Sequence, residues 1–204
     1  KRTCYKRKLA HTKILIGEKM AILKVARLGH PILRKTAEII PVEKIATPDI
    51  QQLIEDMIET MHEYDGVGLA APQVRRSLRL CVIEIGEGAK NRYSQDSEVR
   101  LQVFINPEVK VLTSETATFW EGCLSVPGLR GLVERPNKIY VKYYDRKAQA
   151  CEIEVESFLA TVLQHEFDHL DGKLYIDRLV NTTQLTFEEE YEKYWQTEQE
   201  ANTL

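Results

Sequence analysis

The chain contains no run of 18 or more apolar residues, which excludes a membrane-spanning helix on sequence grounds. Cysteine is sparse and scattered: Cys4, Cys81, Cys123 and Cys151 form no small-scaffold framework, so a reducing, cytoplasmic setting is expected rather than a disulfide-held secreted fold. Internal repeats and a strong linker are also missing. Nor is there a basic excess on the body of the chain. Residues 1–19 hold seven Lys/Arg and one acid, and with the whole chain at −3 this leaves −9 for residues 20–204. An acidic body argues against a direct nucleic-acid site on the folded domain.

The basic residues 1–19 lack the apolar core of a signal peptide. They are expected to be a tail, either non-native or the remnant of an acid-poor transit peptide, which would imply an organelle. The 204 residues suit one domain with a full core. The expected division is an extension over 1–19, a catalytic domain over 20–180 and an acidic helix or tail over 181–204.

Thr47 and Pro48 open a clear amphipathic helix. Ile50, Leu53, Ile54, Met57, Ile58 and Met61 follow three-and-four spacing, and Asp65-Gly66 closes the segment. Four runs then read as half-buried antiparallel strands: 78–85, 101–107, 138–145 and 150–156. The polar stretch after the first run is expected to be a loop. A second helix is predicted over about 157–170, with Phe158, Leu159, Val162, Leu163, Phe167 and Leu170 on its apolar side and Gly172 as its stop. The C-terminal "TFEEEYEKYWQTEQEANTL" is expected to begin as a charged surface helix and fray. This order implies an α+β fold: antiparallel or mixed sheets packed around the second helix, with an N-terminal and a C-terminal helix.

That second helix carries "QHEFDHLDG" (164–172). Helix positions four apart share a face, so His165 and His169 can present imidazoles to one ion. Glu166 then projects beside the ion, where it can hold a water and move its proton. Two solvent-facing surface histidines are the plain alternative. It fits poorly, because both lie near the apolar stripe and buried, unpaired imidazoles are costly.

The third ligand is less plain. In a metzincin-like pattern the last position would be histidine, but here it is Tyr175. Glu188, Glu189 and Glu190 lie about twenty residues beyond His169, a thermolysin-like spacing, although acidic runs are usually solvated helix faces. Cys123, within "FWEGCLSVPG", has Gly122 for close backbone approach and Trp120 and Leu124 for cover. A thiolate with two imidazoles suits a borderline-soft divalent ion and leaves a fourth place for water. A lone cysteine is more often a small buried hydrophobe. From these residues alone, glutamate and cysteine both stay open. A metal-stabilised binding module is a further alternative, but structural sites usually have four protein ligands and Glu166 would have no task in one.

Three segments together resemble peptide deformylase: "GVGLAAPQ" (66–73), "EGCLS" (121–125) and "QHEFDHL" (164–170). The opening "KVARLGHPILRKTA" resembles that family's N-terminal segment, and the likeness spans about residues 21–180. The resemblance implies an enzyme that removes the formyl group from N-formylmethionine at the start of nascent peptides. It also implies a divalent ion, commonly Fe(II), which Zn(II), Ni(II) or Co(II) can replace. Cys123, His165 and His169 are the implied ligands and Glu166 the implied general base. The side chain of Gln73 and the backbone N–H of Leu124 are the implied oxyanion donors.

Gly66, Val67 and Gly68 are expected to let the substrate backbone lie alongside as an added strand. Phe158 and Thr161 are candidates for the methionine pocket, Thr161 being more polar than the aliphatic residue often found there in the family. Arg130 is a candidate contact for the peptide backbone, with a surface salt bridge as the alternative. Expected partners are the formyl-Met nascent peptide and, through the C-terminal tail, the ribosome. The expected assembly is a monomer or homodimer.

Overall fold

The structure is a computed structural model, and it describes residues 21–85 and 99–196. The basic stretch 1–19, most of the polar loop after residue 85 and the end of the tail lie outside the described residues. Two antiparallel sheets organise the rest. The larger has the strand order β1-β2-β3-β6-β7, built from Gly68–Ala70 (β1), Leu80–Ile85 (β2), Val99–Val111 (β3), Lys138–Tyr144 (β6) and Ala150–Glu156 (β7). The smaller has the order β4-β5-β8, from Thr116–Cys123, Val126–Pro136 and Leu185–Phe187. Among the described residues four α-helices accompany them: α1 (Val42–Ile45), α2 (Pro48–Glu63), α3 (Ser157–Leu170) and α4 (Glu188–Tyr194).

The larger sheet is covered on both faces. Alternation along β2 sends Cys81, Ile83 and Ile85 into a core shared with Phe158, Leu163, Phe167 and Leu170 of α3. Leu80 and Val82 enter the opposite core, where Ile54, Met57 and Met61 of α2 pack. The expected half-buried strand is therefore corrected for β2, whose residues are buried on both sides almost throughout. A continuous apolar run is the mark of such a strand, and "LCVIEI" has one.

The amphipathic stripe of α2 is buried as its spacing predicts. Thr47, however, makes no side-chain cap; its hydroxyl donates to the Lys44 carbonyl instead. Helix α3 occupies the span expected of it, and Gly172 follows it at φ +71°. A methyl group at Gly172 would come within 2.8 Å of the Arg34 backbone, so glycine there also admits the N-terminal segment.

The sequence reading passed over four strands, the short β1 and β8 and the longer β4 and β5. β4 and β5 form a hairpin whose tight connection follows Cys123, with Trp120 opposite Leu132 and Gly122 opposite Arg130. The tail does begin as a helix, but it is not wholly solvated. Tyr191 of α4 is buried, and the Tyr191 and Trp195 rings lie 5.2 and 5.5 Å from Trp120. No helix among the described residues is long and apolar enough to cross a membrane.

Candidate active site

Helix α3 runs through the centre of the fold with its HExxH face turned to the β4–β5 hairpin. His165 and His169 are almost fully buried there. Their ligand nitrogens and Cys123 Sγ all lie within 4.8 Å of one another, and His169 Nε2 is 3.3 Å from the sulfur. These three are the only such group of metal-binding side chains among the described residues. One thiolate and two imidazoles this close fit a first-row divalent ion, which takes four ligands at roughly 2.0–2.3 Å.

The residues around the group orient it. Glu121 Oε2 accepts a hydrogen bond from His165 Nδ1 at 2.7 Å, leaving Nε2 as that ring's remaining donor atom. Tyr175, which stands where a metzincin-like pattern would place its third histidine, stacks on the His165 ring instead, at 6.1 Å and 18°. Its hydroxyl donates to the Leu129 carbonyl. Glu121 is held in turn by Arg135, whose Nε and Nη2 donate to it at 2.6 and 2.9 Å. Arg135 Nη1 donates to Asp168 Oδ2 at 2.8 Å, and Arg178 closes the chain on Asp168. Burial alone would raise the Glu121 pKa, but the bonds from Arg135 and His165 outweigh it and hold the group at about 2.

Burial depresses the pKa of His169, and the charge of His165 adds to the shift. Burial would also depress His165, but its hydrogen bonds to Cys123 and Glu121 reverse the direction. Both imidazoles must be neutral to bind a metal, so an ion would displace the proton that these bonds stabilise on His165. His169 Nδ1 and Glu166 Oε2 are buried without a hydrogen-bond partner among the described residues. Such atoms are expensive to bury unless the site has another use for them. Burial raises the Glu166 carboxyl to about 7.

Gly68 explains how Glu166 fits. A methyl group at Gly68 would come within 2.5 Å of Glu166 Oε1, so β1 can pass the helix only with glycine there. The glycine read as room for substrate thus also makes room for a carboxylate. A methyl at Gly66 would meet Leu124 Cδ1 at 3.2 Å, a tight but smaller conflict.

Gln73 is buried beside the ligands. Its Oε1 accepts from the Ala70 N–H at 2.8 Å, which turns Nε2 towards Ser125 Oγ at 3.3 Å and Cys123 Sγ at 3.5 Å. Leu124 sits in the hairpin turn and packs against the α2 core. A cavity of about 1170 Å³ opens over the group, and Val67, Leu124, Arg130, Phe158 and Thr161 all help line it. Phe158 meets Phe119 edge to face at 5.8 Å. Arg130 forms a salt bridge with Glu188 at 2.6 Å.

The residues proposed for the site from the sequence line this cavity, apart from His169 beside it, and none of Glu188, Glu189 and Glu190 belongs to the three-donor group. Glu121, Arg135, Asp168 and Ser125 were missed as site residues. Glu121, Ser125 and Asp168 stood inside the quoted motifs, and an acid next to a residue expected to be buried, Trp120 or Phe167, was the available signal. Nothing local marked Arg135.

Residues 22–185 match the family model for polypeptide deformylase. The chain is 47% identical to the peptide deformylase of Leptospira biflexa over 171 residues, covering 84% of this chain and 95% of that one. It is 42% identical to peptide deformylase 2 of a Nostoc species, covering 84% and 94%. Among solved structures, the Met-Ala-Ser-bound peptide deformylase of Acinetobacter baumannii superposes with a TM-score of 0.74 at 36% identity, covering 79% of this chain and all of that one. The peptide deformylase of Thermotoga maritima gives 0.69 at 41% identity, covering 78% and 99%. The folds agree, the matched region holds the three donors and all of the cavity lining but Glu188, and the chain belongs to the polypeptide deformylase family.

Proposed function

We propose that this chain removes the formyl group from the N-terminal methionine of newly made polypeptides at the cavity over Cys123, His165 and His169. The convergence of those three donors beside a buried, unpaired Glu166 carries the reading. A purely structural site would leave that carboxylate an uncompensated cost.

The three residues would hold one divalent ion. Their mixed sulfur and nitrogen donors accept Fe(II), Zn(II), Ni(II) and Co(II), and the family resemblance favours Fe(II) as the physiological ion. Such an ion, when bound, acidifies water and polarises a carbonyl oxygen. Glu166 takes the proton from the attacking water; a carboxyl near 7 is well matched to receiving and returning a proton at neutral pH. Negative charge then grows on the formyl oxygen. Gln73 Nε2, already aimed at Cys123 by the Ala70 bond, and the Leu124 N–H would donate to it. Glu166 returns the proton to the leaving amine, and the products are formate and a free N-terminus.

The peptide would lie along Gly66-Val67-Gly68 as an added strand, a mode that reads backbone rather than side chains. Phe158 and Thr161 would wall the methionine pocket. Thr161 Oγ1 is buried without a partner among the described residues, so the wall is not wholly apolar.

The ligand set has a direct test. Cys123→Ala should lose the ion, read as metal content after dialysis, while Glu189→Ala should keep it. The reverse pattern would restore the thermolysin-like alternative. Gln73→Ala should lower kcat on formyl-Met-Ala-Ser by about 10²-fold, as for loss of one oxyanion donor. A change confined to KM would instead make Gln73 a ground-state binder.

A further inference from the structure

Arg130 on β5 and Glu188, the first residue of α4, meet at the rim of the cavity. Arg130 Nε and Nη2 donate to Glu188 Oε1 at 3.1 and 2.6 Å. The guanidinium lies flat against Gly122, where a methyl group would come within 2.8 Å of Nη1, and its Cζ is 5.9 Å from the centre of the Tyr191 ring. Its side chain is 13% exposed, whereas that of Glu188 is 42% exposed. The acid is delivered by the docked tail: β8 pairs with β5, placing Thr186 opposite Arg130, and Tyr191 and Trp195 pack on Trp120. Gly122 is the residue before Cys123. A cation is thus kept one residue from the proposed ligand, with a carboxylate brought from 58 residues away to face it.

We infer that Glu188 is a positioning residue that tethers Arg130 and cancels its charge at the cavity rim, so that Arg130 does not itself sort peptides by charge in the residues after the methionine. The inference rests on the reading that a formyl-Met peptide occupies this cavity. A guanidinium without its counter-charge, in a half-enclosed channel, would attract acidic peptides and repel basic ones. Paired with Glu188 it acts as a dipole, whose influence falls off faster with distance. An enzyme serving many different nascent chains gains from that neutrality, and backbone-only recognition along Gly66-Val67-Gly68 has the same effect.

The test uses C-terminally amidated formyl-Met-Ala-Asp, formyl-Met-Ala-Ser and formyl-Met-Ala-Lys with the metal-loaded full chain. The wild-type Asp-to-Lys ratio of kcat/KM is the reference, since Lys24, Arg27, Arg75 and Asp65 also line the cavity. Glu188→Gln should raise the Asp-to-Lys ratio by about fivefold at low salt, through KM rather than kcat, and added salt should shrink the change. Glu188→Asp, which keeps the charge, should restore the ratio in part. The double variant Arg130→Gln/Glu188→Gln should return it to the wild-type value, a reversal that mere loosening of the tail would not produce. Near-ultraviolet circular dichroism of the Trp120 cluster reports docking of the tail in each variant. An unchanged ratio in Glu188→Gln, or no reversal in the double variant, overturns the tether alone. No formate release by the wild type from formyl-Met-Ala-Ser overturns the deformylase reading of the cavity and the tether with it.

Discussion

Glu166→Gln is expected to keep its ion and lose about 10²- to 10⁴-fold in kcat, the usual worth of a positioned general base. The substitution is nearly isosteric, and the carboxylate lies outside the three-donor group, so metal content should match the wild type. Its Oε2 has no hydrogen-bond partner among the described residues, so no structural bond is broken there. The packing against Gly68 should survive as well, since an amide fills the same space. What is lost is the ability to take a proton. Measured formate release near the wild-type rate, with full metal content, would remove Glu166 from the base role. The pH profile offers a check in the same protein. Glu166 must be ionised to accept a proton, so activity should fall as pH drops through its pKa. Burial places that at about 7 in the metal-free chain, and a cation beside it would favour the charged form and move the limb lower. The wild type should therefore show an acid limb at or below about 7, and Glu166→Gln should lose it.

Arg135→Met should cost about 3–5 kcal/mol in urea unfolding, as for removal of one partner from a buried ion pair. Arg135 is 2% exposed and bridges Glu121 and Asp168, themselves only 6% and 7% exposed at the side chain. Asp168 would keep Arg178. Glu121 would keep only His165, so the larger share of the loss should fall on the His165 side. The sign of the pH dependence follows from Glu121. Its folded pKa of about 2 lies below the ordinary 4.5, so its contribution is full above about 4.5 and is lost as pH falls through about 2. Without Arg135 that contribution should fade at a higher pH. Metal affinity should weaken too, because Glu121 orients the His165 ring. A loss under about 1 kcal/mol would mean that the four-residue chain of charges is no more than break-even against apolar packing.

The comparison between what was readable and what was not follows the range of the interactions. The helices α2 and α3 were legible because three-and-four apolar spacing is a local signal, and both helices bury the stripes it marks. The alternating strands β6 and β7 appear within a residue of their expected bounds, for the same reason. The β4–β5 hairpin was not legible. Its strands mix glycine, charge and aromatic residues, and two of its charged positions, Glu121 and Arg135, point inward to one another. An inward ion pair looks like two outward residues until the register Ala117↔Arg135 and Glu121↔Gly131 is known. The tail was read in part: its helix forms and Glu189, Glu190 and Glu192 are exposed as expected, but Tyr191 and Trp195 find Trp120 some seventy residues away.

By itself the sequence determined the family, the HExxH helix and its paired histidines, because a four-residue helical spacing places two side chains on one face wherever the helix sits. It could not choose between Cys123 and a glutamate of 188–190 from the residues alone, and only the resemblance broke that tie. Tertiary structure decided the remainder: that Cys123 Sγ stands 3.3 Å from His169 Nε2, that Gly68 clears the Glu166 carboxylate, and that Glu188 faces Arg130 rather than the ligand group. Each of these joins residues dozens of positions apart, and the distance between them is set by sheet register and helix packing, quantities that no local pattern encodes.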